Sequence, residues 1–273
     1  MEQVVRPVKR SKLRLAVGRA AFSARRYWQW YFSGIAFARR RQADNLAHVH
    51  FSHRTPLLRA LRNVDMRLQH NKVSSLAVAA SCIDGVVLRP GEVFSFWRLV
   101  GRPRASRGFK PGLVLSNGSI GEGMGGGLCQ MTNLIYWMTL HTPLTVSERW
   151  RHGFDVFPDD NRSQPFASGA TCAYNYVDLQ VSNSTPDTFQ LRLWLDDSHL
   201  NGAWRASAEP LHRYEVFERD HAIRPEWWGG YSRHNSLWRR LTAVADGSER
   251  GEEFITENHA IMMYEPLLEG TRP

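Results

Sequence analysis

The stretch of residues 121–141 reads GEGMGGGLCQMTNLIYWMTLH and predicts the central element of the fold. It joins a glycine-rich segment to one cysteine and then to an apolar run that stops before Pro143. Apolar side chains recur from Leu128 to Met138 at intervals of three and four residues, which is helical spacing. Further apolar residues fill a second face, so the pattern predicts a central helix that is buried nearly all round.

Cys129 falls in the first turn of this predicted helix, directly after Gly125, Gly126 and Gly127. The N-terminus of a helix carries about half a positive charge, which lowers the pKa of a thiol and favours the reactive thiolate. The position therefore indicates a candidate nucleophile. The simpler interpretation is a glycine turn followed by a small cysteine in the core.

The fold class is predicted from the elements around this helix. Short alternating strands precede and follow it, and residues 170–181 and 189–195 predict two further strands. We expect an α+β protein in which the central helix packs on an antiparallel sheet. Residues 1–63 form a basic, aromatic-containing helical N-terminal region, residues 64–205 form the core domain, and residues 206–273 form a β-rich C-terminal extension without evident chemistry.

Charge separates the N-terminal region from the rest of the chain. Residues 1–63 hold 14 lysines and arginines against two acidic residues, whereas the remaining residues hold 21 against 24. Basic residues mixed with Trp28, Trp30 and Tyr31 suit a membrane interface or an anionic polymer, or a helix that packs on the domain. No nucleic-acid-binding motif accompanies the charge, so nucleic acid is not expected as a partner.

The sequence also bears on location and on cysteine use. No apolar run approaches the ~20 residues that a spanning helix needs, and no convincing signal peptide is found, so we expect a cytoplasmic or inner-face membrane-associated protein. Three cysteines do not predict a disulfide scaffold, although a bridge between Cys82 and Cys172 stays open. No cluster has metal-ligand spacing, and neither a metal nor a cofactor is predicted.

Several segments together resemble the VanW family. They are VDMRLQHNKVSSL (64–76), RPGEVFSFWRLVGRP (89–103), the central stretch 121–141, PLTVSERWRHGFDVFPDD (143–160) and SGATCAYNYVDLQVSNST (168–185). The resemblance implies a link to glycopeptide resistance and the cell wall. Some larger proteins with this domain join peptidoglycan stems as L,D-transpeptidases through a cysteine acyl-enzyme. Carried over, the nucleophile falls on Cys129 and the family histidine on His152, followed here by Gly153 where serine is frequent.

Acyl transfer through cysteine also needs an oxyanion site and an oriented imidazole. The backbone N–H groups of Cys129 and Gln130 are expected to be unpaired donors at the helix start. His141 lies twelve residues beyond Cys129, or about 18 Å along a helix, and is too distant to be the base. Candidates for the group that orients His152 are Asp155, Asn175 and Asp178, of which Asp178 is favoured.

The substrate is expected to be peptidoglycan or its peptide precursor. Gly125, Gly126 and Gly127 are predicted to keep space open near the thiol. Arg102, in a basic run from Arg98 to Lys110, is predicted to bind a stem carboxylate, and Trp97 to line a pocket. Two functions follow: a cysteine acyltransferase or hydrolase acting on such peptides, or a noncatalytic accessory protein that keeps the scaffold. The oligomeric state is not predicted.

Overall fold

The computed structural model describes residues 10–58, 65–116, 119–156, 164–264 and 266. These residues form four α-helices and thirteen β-strands. In chain order the helices are α1 (Lys12–Phe32), α2 (Met66–Ile83), α3 (Phe96–Val100) and α4 (Cys129–Leu140). The strands are β1 (His48–Pro56), β2 (Val86–Leu88), β3 (Val93–Ser95), β4 (Pro111–Ser116), β5 (Ser119–Met124), β6 (Thr145–Glu148), β7 (Phe154–Asp155), β8 (Gln180–Ser182), β9 (Phe189–Leu195), β10 (His199–Ala206), β11 (His212–Pro225), β12 (Tyr231–Ala243) and β13 (Glu249–Met262).

Helix α4 lies at the centre of the fold, as its apolar pattern predicts. Every residue from Leu134 to Leu140 is buried. The helix packs on a four-stranded antiparallel sheet in the order β1-β10-β9-β2. The indole N–H of Trp204 in β10 donates to the Thr139 hydroxyl of α4 over 3.1 Å. Gly202 of β10 lies so close to Met138 of α4 that a side chain at residue 202 would clash with it. The predicted α+β architecture is confirmed.

Two smaller sheets surround the start of α4. Strands β3, β8 and β6 form an antiparallel sheet in that order, and β4 and β5 form a hairpin that leads into the glycine segment. Helix α2 begins at an Asp65 cap, whose carboxylate accepts from the Arg67 N–H over 2.8 Å, and it packs against β4. The core clusters around α2, α4 and the β9–β10 pair.

The N-terminal region is not purely helical, and that part of the prediction is wrong. Helix α1 is a single helix, and residues 33–47 are irregular, with isolated bridges at Phe37 and Arg41. The segment that holds His48, His50 and His53 is strand β1, which pairs with β10 at the edge of the central sheet. Residues 1–9 and 59–63 of this region lie outside the described residues.

The C-terminal extension is a sheet of long antiparallel strands, β11-β12-β13, as its β-rich pattern predicts. Strand β7 of the core adds to its edge, parallel to β13, with Ile261 opposite Phe154. The extension thus joins the core at residues 153–155. Within the described residues, no helix combines the length and apolar character needed to cross a bilayer.

Candidate active site

Cys129 is the first residue of α4 and is partly exposed at its N-terminal end. Its sulfur lies 3.3 Å from the hydroxyl oxygen of Thr171 and 3.9 Å from the sulfur of Cys172. All three cysteines are free thiols. Cys82 lies elsewhere, where its sulfur accepts from Arg107 over 3.5 Å, so Cys172 faces Cys129 rather than Cys82.

Helix α4 itself holds the segment that carries Thr171 and Cys172. The Thr132 hydroxyl donates to the Ala170 carbonyl over 2.6 Å, and the Asn133 side-chain oxygen accepts from the Ala170 N–H over 2.7 Å. Both residues stand within one turn of Cys129. The two hydrogen bonds therefore fix the position of residues 171 and 172 relative to the Cys129 thiol.

His152 reaches the thiol from a neighbouring segment. The Thr171 N–H donates to the Trp150 carbonyl over 2.8 Å, which sets residues 150–152 alongside residue 171. The His152 side chain interacts with the Cys129 thiol and lowers its pKa. On its other side, the Ile261 N–H donates to the Gly153 carbonyl over 3.0 Å, and Arg151 donates to the His259 carbonyl. Both anchors belong to β13, so the extension positions the histidine segment.

The electrostatics favour a thiolate on Cys129. Its pKa is held well below the usual thiol value, chiefly by the hydrogen bond with Cys172. Burial acts in the opposite direction, while the interactions with His152 and Thr171 lower the pKa further. The pKa of Cys172 is raised well above its usual value by Cys129 and by burial. Of the two thiols, Cys129 is therefore the one that loses its proton more readily.

The three glycines before the helix are explained by packing. Gly127 has a φ of +87°, and a side chain there would collide with Lys72. A side chain at Gly126 would overlap the backbone of Gly112 in β4. Gly125 packs on Pro103. Gly112 and Lys72 fill the space beside Gly126 and Gly127. A contact between these glycines and a substrate stays a prediction.

The two backbone N–H groups expected to bind the oxyanion differ in whether a carbonyl already accepts from them. The Gln130 N–H donates to the Gly127 carbonyl over 3.0 Å, so the expectation that it is free is wrong: the chain closes a tight turn there. In the described part of the chain, no carbonyl accepts from the Cys129 N–H. The Gln130 side chain instead donates to the Thr55 hydroxyl and the Pro56 carbonyl of β1, which ties the helix start to the central sheet.

The candidates for orienting His152 are engaged elsewhere. The Asp178 carboxylate accepts from the Ser95 hydroxyl, from the Trp97 N–H over 2.9 Å and from its own neighbour Leu179. Asp155 accepts from Tyr264 over 2.8 Å and pairs with Arg233 in the extension. The Asn175 amide donates to the Ser23 carbonyl of α1 over 3.4 Å. A role for Asp178 beside the imidazole stays a prediction.

The remaining predicted residues separate into core and surface. Trp97 is 3% exposed, and its indole N–H donates to the Val177 carbonyl, while its predicted place in a pocket wall stays a prediction. Arg102 is exposed and, among the described residues, forms no ion pair; its charge lowers the pKa of Tyr174 against burial, which raises it. His141 stands at the far end of α4, stacked on Phe51, and is no base for Cys129.

Sequence reasoning missed Thr171 and Cys172, the two closest neighbours of the nucleophile candidate. The adjacent Thr-Cys pair in SGATCAYNYVD was the available signal. Near this site, Glu148 pairs with Arg26 of α1, and Arg149 donates to the Gly169 carbonyl and to the Asn258 side chain. No group of three or more His, Cys, Asp or Glu within the described ranges is arranged to hold a metal ion.

Comparison with known proteins agrees with the sequence motifs. The family model described as VanW like protein matches residues 71–205. The vancomycin B-type resistance protein VanW of Enterococcus faecalis is 36% identical over 185 residues, which cover 68% of this chain and 67% of that protein. The uncharacterized protein YoaR of Bacillus subtilis is 27% identical over 144 residues, 52% of this chain and 44% of its own. No solved structure gives a significant match. The chain belongs to the VanW-like family.

Proposed function

We propose that this protein is a cysteine acyltransferase that acts on the peptide stems of peptidoglycan or of its precursor. The observation that carries the proposal is the Cys129 thiol at the start of α4, with a pKa held well below its ordinary value by Cys172, His152 and Thr171. A lowered pKa raises the fraction of the thiol that is present as the nucleophilic thiolate. The relative named for vancomycin B-type resistance supports a cell-wall substrate.

The proposed reaction has two acyl-transfer steps. The Cys129 thiolate attacks the carbonyl carbon of a peptide bond, and the resulting oxyanion faces the Cys129 N–H. His152 gives a proton to the leaving amine as the C–N bond breaks, which leaves a thioester on Cys129. An acceptor amine then attacks the thioester, His152 takes its proton, and the new amide leaves the thiolate free. If water attacks in place of the amine, the same residues give hydrolysis.

Thr171 and Cys172 have a supporting part in this proposal. Each presents a hydrogen-bonding group to the sulfur, at 3.3 and 3.9 Å. Such donors favour the thiolate over the thiol before the attack and lose that contact as the thioester forms. Arg102, which is exposed and whose charge acts on Tyr174, is the proposed contact for a stem carboxylate.

The test compares peptidoglycan from cells that produce the wild-type chain or Cys129→Ala, analysed as muropeptides, together with glycopeptide susceptibility. Cys82→Ala serves as the matched control, since it removes a thiol away from the site. We expect a change in crosslinks that depends on Cys129 and persists in Cys82→Ala. If crosslinks and resistance are unaffected by Cys129→Ala, the catalytic proposal fails and a noncatalytic accessory role takes its place.

A further inference from the structure

Helix α1 is fastened to the core by one face only. Arg26 forms an ion pair with Glu148, and both side chains are largely buried. The Trp30 indole donates to the Ser95 hydroxyl over 3.1 Å, and Arg98 donates to the Trp30 carbonyl. These contacts fix which side of the helix turns outward.

The outward side of α1 is apolar. At 3.6 residues per turn, the residues opposite Arg26 and Trp30 form a stripe of three- and four-residue intervals along the helix. Its large members are strongly exposed, at 76% for Leu13, 59% for Val17, 60% for Trp28 and 63% for Tyr31. Phe32, at the end of the helix, is 74% exposed. An amphipathic helix normally buries its apolar face, so this stripe lacks the surface that it is built to contact.

Positive charge surrounds the stripe. Residues 10–41 contain nine lysines and arginines and no acidic residue. In the described part of the chain, only Arg26 among these nine has an acidic partner. A second copy of the chain docked through this face would bring like charges together. An anionic bilayer offers the opposite charge and an apolar layer beneath it.

We propose that the outward face of α1 binds an anionic lipid bilayer. Trp28 and Tyr31 enter the interface beside Leu13 and Val17, while the arginines of the same segment contact lipid phosphates. Tryptophan and tyrosine favour this depth because they are amphipathic. The proposal stands independently of the chemistry at Cys129.

Binding at this face also bears on the candidate active site. On its inner side α1 contacts the segment that continues from Cys172: the Tyr27 and Tyr174 hydroxyls lie 2.9 Å apart, and the Phe22 ring stacks on Tyr176 with centroids 6.0 Å apart. A bilayer bound to the outer side therefore keeps this segment close to the membrane surface, where membrane-attached wall precursors are reached.

The test is flotation of the full-length protein with vesicles of phosphatidylcholine alone or enriched in phosphatidylglycerol. The test variant is Trp28→Glu, and the matched control is Trp227→Glu, since Trp227 is 86% exposed in the C-terminal extension. Wild type and Trp227→Glu are expected to bind the anionic vesicles, more weakly in high salt, and Trp28→Glu to lose at least about tenfold in affinity. Thermal unfolding checks that both variants are folded. Val17→Glu repeats the test near the N-terminal end of α1.

Three results would overturn the proposal. The first is an absence of binding to anionic vesicles by the wild-type protein. The second is equal vesicle binding by wild type, Trp28→Glu and Val17→Glu. The third is a wild-type dimer in analytical ultracentrifugation that Trp28→Glu dissociates, without vesicle binding, since that result assigns the stripe to a second copy of the chain.

Discussion

Replacing Cys172 tests the hydrogen bond that contributes most to the low pKa of Cys129. Cys172→Ala removes the S–H donor 3.9 Å from the Cys129 sulfur and leaves Thr171 and His152 in place. A hydrogen bond to a charged group contributes about 1.5–3 kcal/mol. Because 3.9 Å is long even for sulfur, we take the lower figure, which is a factor of about ten in the equilibrium between thiol and thiolate and raises the pKa of Cys129.

The pKa of Cys129 is expected to rise in Cys172→Ala because the variant lacks a donor to the thiolate. The S–H of Cys172 stabilises the thiolate, so without it the Cys129 thiol holds its proton to higher pH. At pH values below the pKa of Cys129, which is the midpoint of its alkylation profile, the variant has about one tenth of the wild-type thiolate fraction. Alkylation by iodoacetamide slows by the same factor. The measurement is the alkylation rate of Cys129 against pH, followed by mass spectrometry of the peptide that contains it.

Two variants control this experiment. Cys172→Ser keeps a donor and is expected to recover most of the wild-type midpoint. Cys82→Ala removes a thiol that contacts Arg107 instead and is expected to leave the midpoint unchanged. A wild-type midpoint in Cys172→Ala, or an equal shift of the midpoint in Cys82→Ala, would show that the Cys172 thiol does not set the pKa of Cys129.

Three further predictions concern the site and its support. His152→Ala is expected to raise the pKa of Cys129 and to slow acyl transfer by about 10²–10⁴, measured with muropeptides; wild-type rates would remove His152 from the mechanism. Gly126→Ala is expected to destabilise the protein by about 1–3 kcal/mol in urea unfolding through overlap with Gly112, whereas Gly153→Ala, whose side chain meets nothing, is expected to be neutral; equal effects would contradict the packing account. Burial raises the pKa of Asp178 to about 6, above that of the unfolded chain, so this group adds up to ~3 kcal/mol of stability as pH falls from 7 to 4. Asp178→Asn is expected to abolish that gain, and parallel stability profiles for variant and wild type would refute it.

The sequence was sufficient where structure follows from local patterns. The helical spacing after Leu128 predicted α4 and its burial, because that repeat has no other way to bury its apolar side chains. Alternation predicted β6 and β9, and the position of Cys129 at the helix start followed from the glycines before it. The motif-based family prediction was confirmed by comparison.

The sequence was insufficient where a residue depends on distant pairing. Strand β1 is polar and rich in histidine, and its partner β10 lies about 150 residues away along the chain, so no local pattern predicts it. The contact between Cys129 and Cys172 depends on Thr132 and Asn133 binding Ala170. The place of His152 depends on β13, in an extension where no chemistry was expected.

In the proposed reaction, Cys129 carries the acyl group. The intact mass of the purified full-length protein would show that group directly when the protein is acid-quenched after incubation with soluble muropeptides that have tetrapeptide or pentapeptide stems. We predict a covalent adduct that maps to Cys129, is released by hydroxylamine as a thioester is, and is absent from Cys129→Ala. A folded protein whose Cys129 alkylates readily but gains no mass from either stem would contradict the account.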